Sequence, residues 1–169
     1  MSEPSGGLKI ATFGAGCFWD VEASFRKVPG IIDTAAGYMG GTMANPRYTD
    51  VCFGNTGHAE VVQVTYDPAK ISYDQLLDVF FRIHDPTQLN RQGKDTGSHF
   101  RSVIFYYDAE QGKIARKSKE NLEVSGRLGF SKVVTQIVPA GDFWRAEEEH
   151  QRHVEKHAGD HCDRCRNGQ

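Results

Sequence analysis

Gly14-Ala15-Gly16-Cys17-Phe18-Trp19-Asp20 decides how this chain is read. Upstream, residues 8–13 predict a short strand. Downstream, Phe18, Val21, Glu22, Phe25 and Val28 recur at helical spacing. The cysteine therefore falls where a strand ends, two glycines turn and a helix begins. Unpaired N–H groups and a partial positive charge at a helix start favour thiolate over thiol. Glycine lets the backbone turn tightly and leaves the sulfur open to a substrate. The bland alternative is a small buried residue in the first turn of a core helix. Two adjacent aromatics argue against it. Phe18 and Trp19 cannot both face one core from one helical turn, so one of them is expected to line a surface pocket beside the sulfur.

Working outward, Pro29-Gly30 stops the helix and residues 31–38 read as a strand. Residues 42–58 are loop-like, broken by Asn45-Pro46, Gly54-Asn55 and Gly57, and carry Tyr48, Cys52 and His58. So long a loop in a compact domain is usually functional. Cys52, paired with Phe53, reads as a packing residue. The run 59–66, AEVVQVTY, is a strand, and Glu60 in it is either a solvent-facing alternation residue or an acid. Ser72-Tyr73-Asp74-Gln75 is a capping box opening a helix with Leu76, Leu77, Phe80, Phe81 and Ile83 on its apolar face. A second polar loop, 87–99, precedes a strand at 101–107, a charged helix at 108–125 and a strand at 132–138. Two neighbouring strands with no helix between them favour an α+β fold. The expected form is a two-layer α/β sandwich, a mixed sheet with helices packed on it, over a doubly wound parallel sheet.

The chain has 169 residues, enough for one domain with a real core, taken as 1–169. Residues 1–7 are expected to be a flexible N-terminus and about 152–169 a mobile cysteine-containing tail. A net charge of −2 argues against nucleic acid as a partner. No apolar run approaches the ~20 residues that span a bilayer, and the start lacks a signal pattern, so a soluble, cytoplasmic protein is expected. Four cysteines are too few for a disulfide scaffold in a chain this long.

Two rival readings compete with a catalytic thiol. Gly14-x-Gly16 after a strand suggests a dinucleotide fingerprint, but Trp19 stands where its third glycine belongs. His150, His153, His157, His161, Cys162 and Cys165 offer zinc ligands, and Cys-x-x-Cys is a zinc-knuckle spacing. The same tail also reads as a solvated His-rich helix, or as a dithiol that exchanges with an oxidised cysteine.

The segments GCFWDVEASF, AAGYMGG, NPRYTDVCFGNTGHAEVVQVTYDP, SYDQLLDVFF, HDPTQLNRQGKDTGSHFRS and PAGDFWRAEEEHQ resemble the A-type peptide methionine sulfoxide reductases over most of residues 9–151. That resemblance implies a ferredoxin-like core with long loops. It implies Cys17 as nucleophile, and Phe18 and Trp19 as the pocket for the sulfoxide's methyl group. Glu60 would be the acid that protonates the sulfoxide oxygen and Tyr48 a phenol bonding the same oxygen. Asp95 would orient the substrate. Cys162 and Cys165 would be recycling cysteines, although only two residues separate them. No metal and no bound cofactor are implied. The reductant is an external dithiol, thioredoxin, and the substrates are free methionine sulfoxide and oxidised peptides or proteins, handled by a monomer. Phe100 departs from a tyrosine common in the family, which leaves Tyr48 and Glu60 to polarise the substrate.

Overall fold

A computed structural model describes residues 7–157. Its centre is a six-stranded sheet in the order β7-β6-β1-β3-β2-β8. The strands are β1 (Lys9–Ala15), β2 (Ile31–Met39), β3 (Ala59–Tyr66), β6 (Ser102–Tyr106), β7 (Gln136–Pro139) and β8 (Trp144–Arg145). A separate hairpin joins β4 (Arg91–Gln92) to β5 (Asp95–Thr96). The helices are α1 (Phe18–Arg26), α2 (Tyr48–Cys52), α3 (Tyr73–Arg82), α4 (Ala109–Val124) and α5 (His153–Lys156). All pairings in the large sheet are antiparallel except β6 with β7, so the sheet is mixed, as expected. The succession β1-α1-β2-β3-α3-β6, with β6-β1-β3-β2 side by side, is the ferredoxin-like core.

Strand parity sorts the side chains. Ala11, Phe13, Ala15, Ala36, Tyr38, Val62, Val64 and Tyr66 join the main core with Phe25, Leu76, Leu77 and Phe80 from the helices. Met39, Ala59, Val61, Val103 and Phe105 form a smaller cluster of their own. Glu60 shares the parity of Val62 and Val64 and so points to the helical side, directly opposite Tyr38 in the β2–β3 register. The Ser72 capping box forms as read: Gln75 N–H donates to Ser72 Oγ at 3.2 Å, and Ser72 N–H donates to Gln75 Oε1 at 2.9 Å.

Several short elements escape the sequence reading, among them the β4–β5 hairpin inside the polar loop 87–99. The loop 42–58 contains α2, five residues long, and the stretch after Pro139 contains the two-residue β8. Gly37 makes β8 possible: a Cβ there would stand 2.5 Å from the Phe143 ring and 2.6 Å from the Trp144 carbonyl oxygen. Beyond β8, Gln151 fastens the chain to β2. It accepts from Ala36 N–H at 2.8 Å and donates to the carbonyls of Ala36 and Ala146. Residues 152–157, within the expected tail, carry α5, which packs on α1 through an Arg26–Glu155 ion pair of 2.6 Å. Among the described residues no helix is long and apolar enough to cross a membrane.

Candidate active site

Cys17 is the N-cap of α1, and its carbonyl accepts from the N–H groups of Asp20 and Val21 at 3.2 Å. Gly16 turns the chain with φ +98°, where a side chain would be strained, and a Cβ there would meet Gln92 at 2.9 Å. The β4–β5 hairpin thus lies against the Gly16 turn. It brings Gln92, Gly93 and Asp95 into one cavity of about 200 Å³ with Cys17, Asp20, Val21 and Ile83. Cys17 is only 4% exposed, less open than the glycine-flanked sequence suggests. Its thiol is not in a disulfide.

Glu60 is 1% exposed, and its Oε1 accepts the N–H of Phe18 at 3.1 Å. The solvent-facing alternative for this residue is therefore excluded. The acid touches the first residue of the helix that Cys17 caps.

Phe18, Trp19 and Tyr48 form one aromatic stack. Phe18 and Tyr48 are stacked with ring centres 6.0 Å apart, and Trp19 and Tyr48 at 6.3 Å. The expectation that Phe18 or Trp19 lines a surface pocket fails, for both are buried. The chain after β8 returns over them. His153 lies flat on Trp19 with centres 3.6 Å apart, and His150 packs on Tyr48 at 4.2 Å. Trp19 Nε1–H donates to His150 Nδ1 at 2.9 Å, so that imidazole is neutral with its proton on Nε2.

Glu147 is the carboxylate that sequence reasoning missed. It accepts from Tyr38 O–H and from Tyr48 N–H, both at 2.9 Å. Burial works to raise its pKa, but these bonds, with its own backbone N–H, hold it below the usual carboxylate range. Burial, then the adjacent Glu147, pushes the Tyr38 phenol far above its ordinary value. The signal lay in the acidic run 147–149 after Trp144, but nothing in that run says which of the three turns inward. The β2–β8 register settles it by setting Trp144 opposite Tyr38.

The remaining candidates divide. Cys52 is half-buried and packs against the main core, as its reading as a packing residue has it, and it also stands in a disulfide, which that reading missed. His58 is structural: Gly41 N–H donates to its Nδ1 at 2.9 Å, and its Nε2–H donates to the Met43 carbonyl at 2.8 Å. Both nitrogens are thereby engaged away from the thiol. His150 and His153 both stack on Trp19, while His161 of the proposed zinc set lies outside the described residues. Phe100 is buried beside His99 with ring centres 4.0 Å apart, and burial, aided by Arg101, pushes the His99 imidazole down to about 4. Cys162 and Cys165 lie outside the described residues.

A thiol at a helix start, a buried carboxyl one residue away, and an aromatic wall suit nucleophilic attack with proton delivery in a water-poor site. The family model described as "Peptide methionine sulfoxide reductase" matches residues 9–168. A peptide methionine sulfoxide reductase MsrA of Methanoculleus marisnigri is 57% identical over 159 residues, covering 94% of this chain and 96% of the relative. That of Geobacter sulfurreducens is 57% identical over 155 residues, 92% of this chain and 95% of the relative. Among solved structures, reduced Mxr1 of Saccharomyces cerevisiae superposes with a TM-score of 0.88 at 36% identity, covering 95% of this chain and 92% of that one. Mxr1 in complex with Trx2 matches with a TM-score of 0.64 at 31% identity, over 89% and 88% of the two chains.

Proposed function

Because the chain belongs to the peptide methionine sulfoxide reductase A family, an oxidoreductase family, we propose that Cys17 reduces methionine S-sulfoxide with Glu60 as its acid. The observation that carries this assignment is the contact of Glu60 with the N–H of Phe18, next to Cys17. Sulfoxide sulfur is a poor electrophile until its oxygen is protonated. Glu60 must therefore hold its proton in the substrate complex, which a water-excluding pocket favours. A positioned acid is worth roughly 10²–10⁴-fold.

Cys17 thiolate attacks while Glu60 protonates the oxide. Oxygen passes to Cys17, leaving methionine and a Cys17 sulfenic acid, so the substrate gains the two electrons the thiol loses. Tyr48, held by Glu147, bonds the oxide, and Asp95 orients the substrate across the cavity it shares with Cys17. Phe18 and Trp19 supply the apolar wall for the methyl group. For substrate to touch that wall, His150 and His153 must shift from their places on Trp19 and Tyr48.

Cys162 then attacks the sulfenic sulfur, releasing water and forming a disulfide. Cys165 takes over that bond and returns Cys17 as a thiol. A dithiol of the thioredoxin class reduces the result. The complex of the related Mxr1 with Trx2 supports that choice of reductant. The protein acts as a cytoplasmic monomer without a bound cofactor, on free methionine sulfoxide and on oxidised peptides and proteins. Cys17→Ser should abolish reduction. Cys162→Ser should complete one stoichiometric turnover and then stall with thioredoxin, and full multiple turnover in that variant would overturn the relay.

A further inference from the structure

The Cys52 sulfur, a Glu60 carboxylate oxygen and a His99 ring nitrogen lie within 4.8 Å of one another. They come from the end of α2, the start of β3 and the 3₁₀ turn Ser98–Phe100. His99 is 4% exposed, yet neither of its ring nitrogens has a hydrogen-bond partner. His58 and His84, by contrast, engage both of theirs. Leaving a buried polar group unpaired costs about 1–3 kcal/mol, so an orphaned imidazole beside a sulfur and a carboxylate calls for a ligand.

We propose that reduction of the Cys52 disulfide opens a site in which Cys52, Glu60 and His99 bind one zinc-class divalent cation and so withdraw Glu60 from catalysis. The inhibitory part rests on the reading of Glu60 as the acid. Two electrons and two protons from a dithiol or a phosphine convert the disulfide to two thiols, and the metal then displaces the Cys52 proton. A sulfur, nitrogen and oxygen donor set suits zinc and not magnesium or calcium. Thiolate and carboxylate together neutralise its charge, and water fills the fourth position. A disulfide sulfur offers no anionic donor, so the oxidised protein lacks the site.

Bond lengths of roughly 2.0–2.3 Å place the donors of a tetrahedral zinc about 3.5 Å apart, so the cluster must contract on binding. Cys52 can supply that movement. It is half-buried at the end of a five-residue helix, next to the exposed Phe53. Arg101 opposes the ion electrostatically, but its guanidinium is turned to the carbonyls of Ser98 and Gly57 and to Gln136.

The test uses the full chain, with its Cys52 disulfide intact or reduced, beside a variant carrying Cys162→Ser and Cys165→Ser, which removes the tail thiols as competing ligands; only the reduced forms should bind the ion. Reduction is with a phosphine, and each form is titrated with Zn²⁺, and with Co²⁺ for its thiolate charge-transfer band. One ion per chain is expected. Adding Cys52→Ser, His99→Ala or the size-matched His99→Gln should weaken binding at least tenfold and remove the band. No binding, or binding indifferent to all three substitutions, overturns the site and leaves the role of Glu60 untouched. Binding at these residues without loss of single-turnover reduction overturns the inhibition and counts against Glu60 as the acid.

Discussion

Glu60 Oε1 accepts the backbone N–H of Phe18 at 3.1 Å, which ties the buried carboxyl to the start of the helix that Cys17 caps. The bond needs only an acceptor oxygen. Glu60→Gln retains that oxygen and the shape of the side chain but cannot deliver a proton. The single-turnover rate of sulfoxide reduction should fall by roughly 10²–10⁴-fold, with alkylation of Cys17 by iodoacetamide changed less than threefold. Comparable losses in both measurements would mean that Glu60 supports the helix and not the chemistry.

Glu147 serves two aromatic residues at once, Tyr38 and Tyr48. Glu147→Ala leaves a buried phenol and a backbone N–H without their acceptor, each worth about 1–3 kcal/mol. The unfolding midpoint in urea should drop accordingly, and kcat/KM should fall more than in Tyr38→Phe, which removes only one of the two bonds. Equal kcat/KM in the two variants would place Tyr48 outside the substrate's reach.

His153 lies 3.6 Å from Trp19, ring on ring, with α5 held further by the ion pair of Arg26 and Glu155. His153→Ala should uncover Trp19. Indole fluorescence should become more readily quenched by acrylamide, and KM for a sulfoxide peptide should fall severalfold. An unchanged KM with a clear rise in quenching would show that substrate does not enter over Trp19.

Acid should destabilise the fold well before carboxylates as a class titrate. Burial lowers the His84 imidazole to about 4 against the Phe80 carbonyl, whose bond favours the charged form, and His99 also lies at about 4. In the unfolded chain both bind a proton near pH 6.5. Between pH 6.5 and 4 the unfolded state therefore binds more protons, and stability falls as pH falls through that window. Glu147, held low in the folded state, adds a loss of the same sign at still lower pH. For His84 the effect is on the order of 3 kcal/mol. Urea midpoints measured from pH 7 to 4 should decline, and His84→Gln should flatten the slope.

The sequence made the main frame legible because its signals were local. The capping box at Ser72, the alternation in 59–66 and the glycine turn before Cys17 each depend on a few neighbouring residues, and each formed. Glu60 could be placed on a strand but not on a face, since the parity of β3 acquires meaning only when β2 and α1 pack against it. Glu147 and His150 were hidden for the same reason. Their contacts run across more than ninety residues of chain, to Tyr38, Tyr48 and Trp19. Cys52 read as a packing residue beside Phe53, and it does pack on the core, but neither its disulfide nor its place beside Glu60 and His99 leaves a trace in local pattern.

The central claim is that oxygen passes from substrate to the sulfur of Cys17. Fully reduced protein carrying Cys162→Ser and Cys165→Ser, mixed with one equivalent of racemic methionine sulfoxide and dimedone, tests it in one step. Peptide mass mapping should find the dimedone adduct on Cys17, with the S epimer consumed and the R epimer left. Methionine formed with no adduct or disulfide at Cys17, or formed equally well after Cys17→Ser, would contradict it.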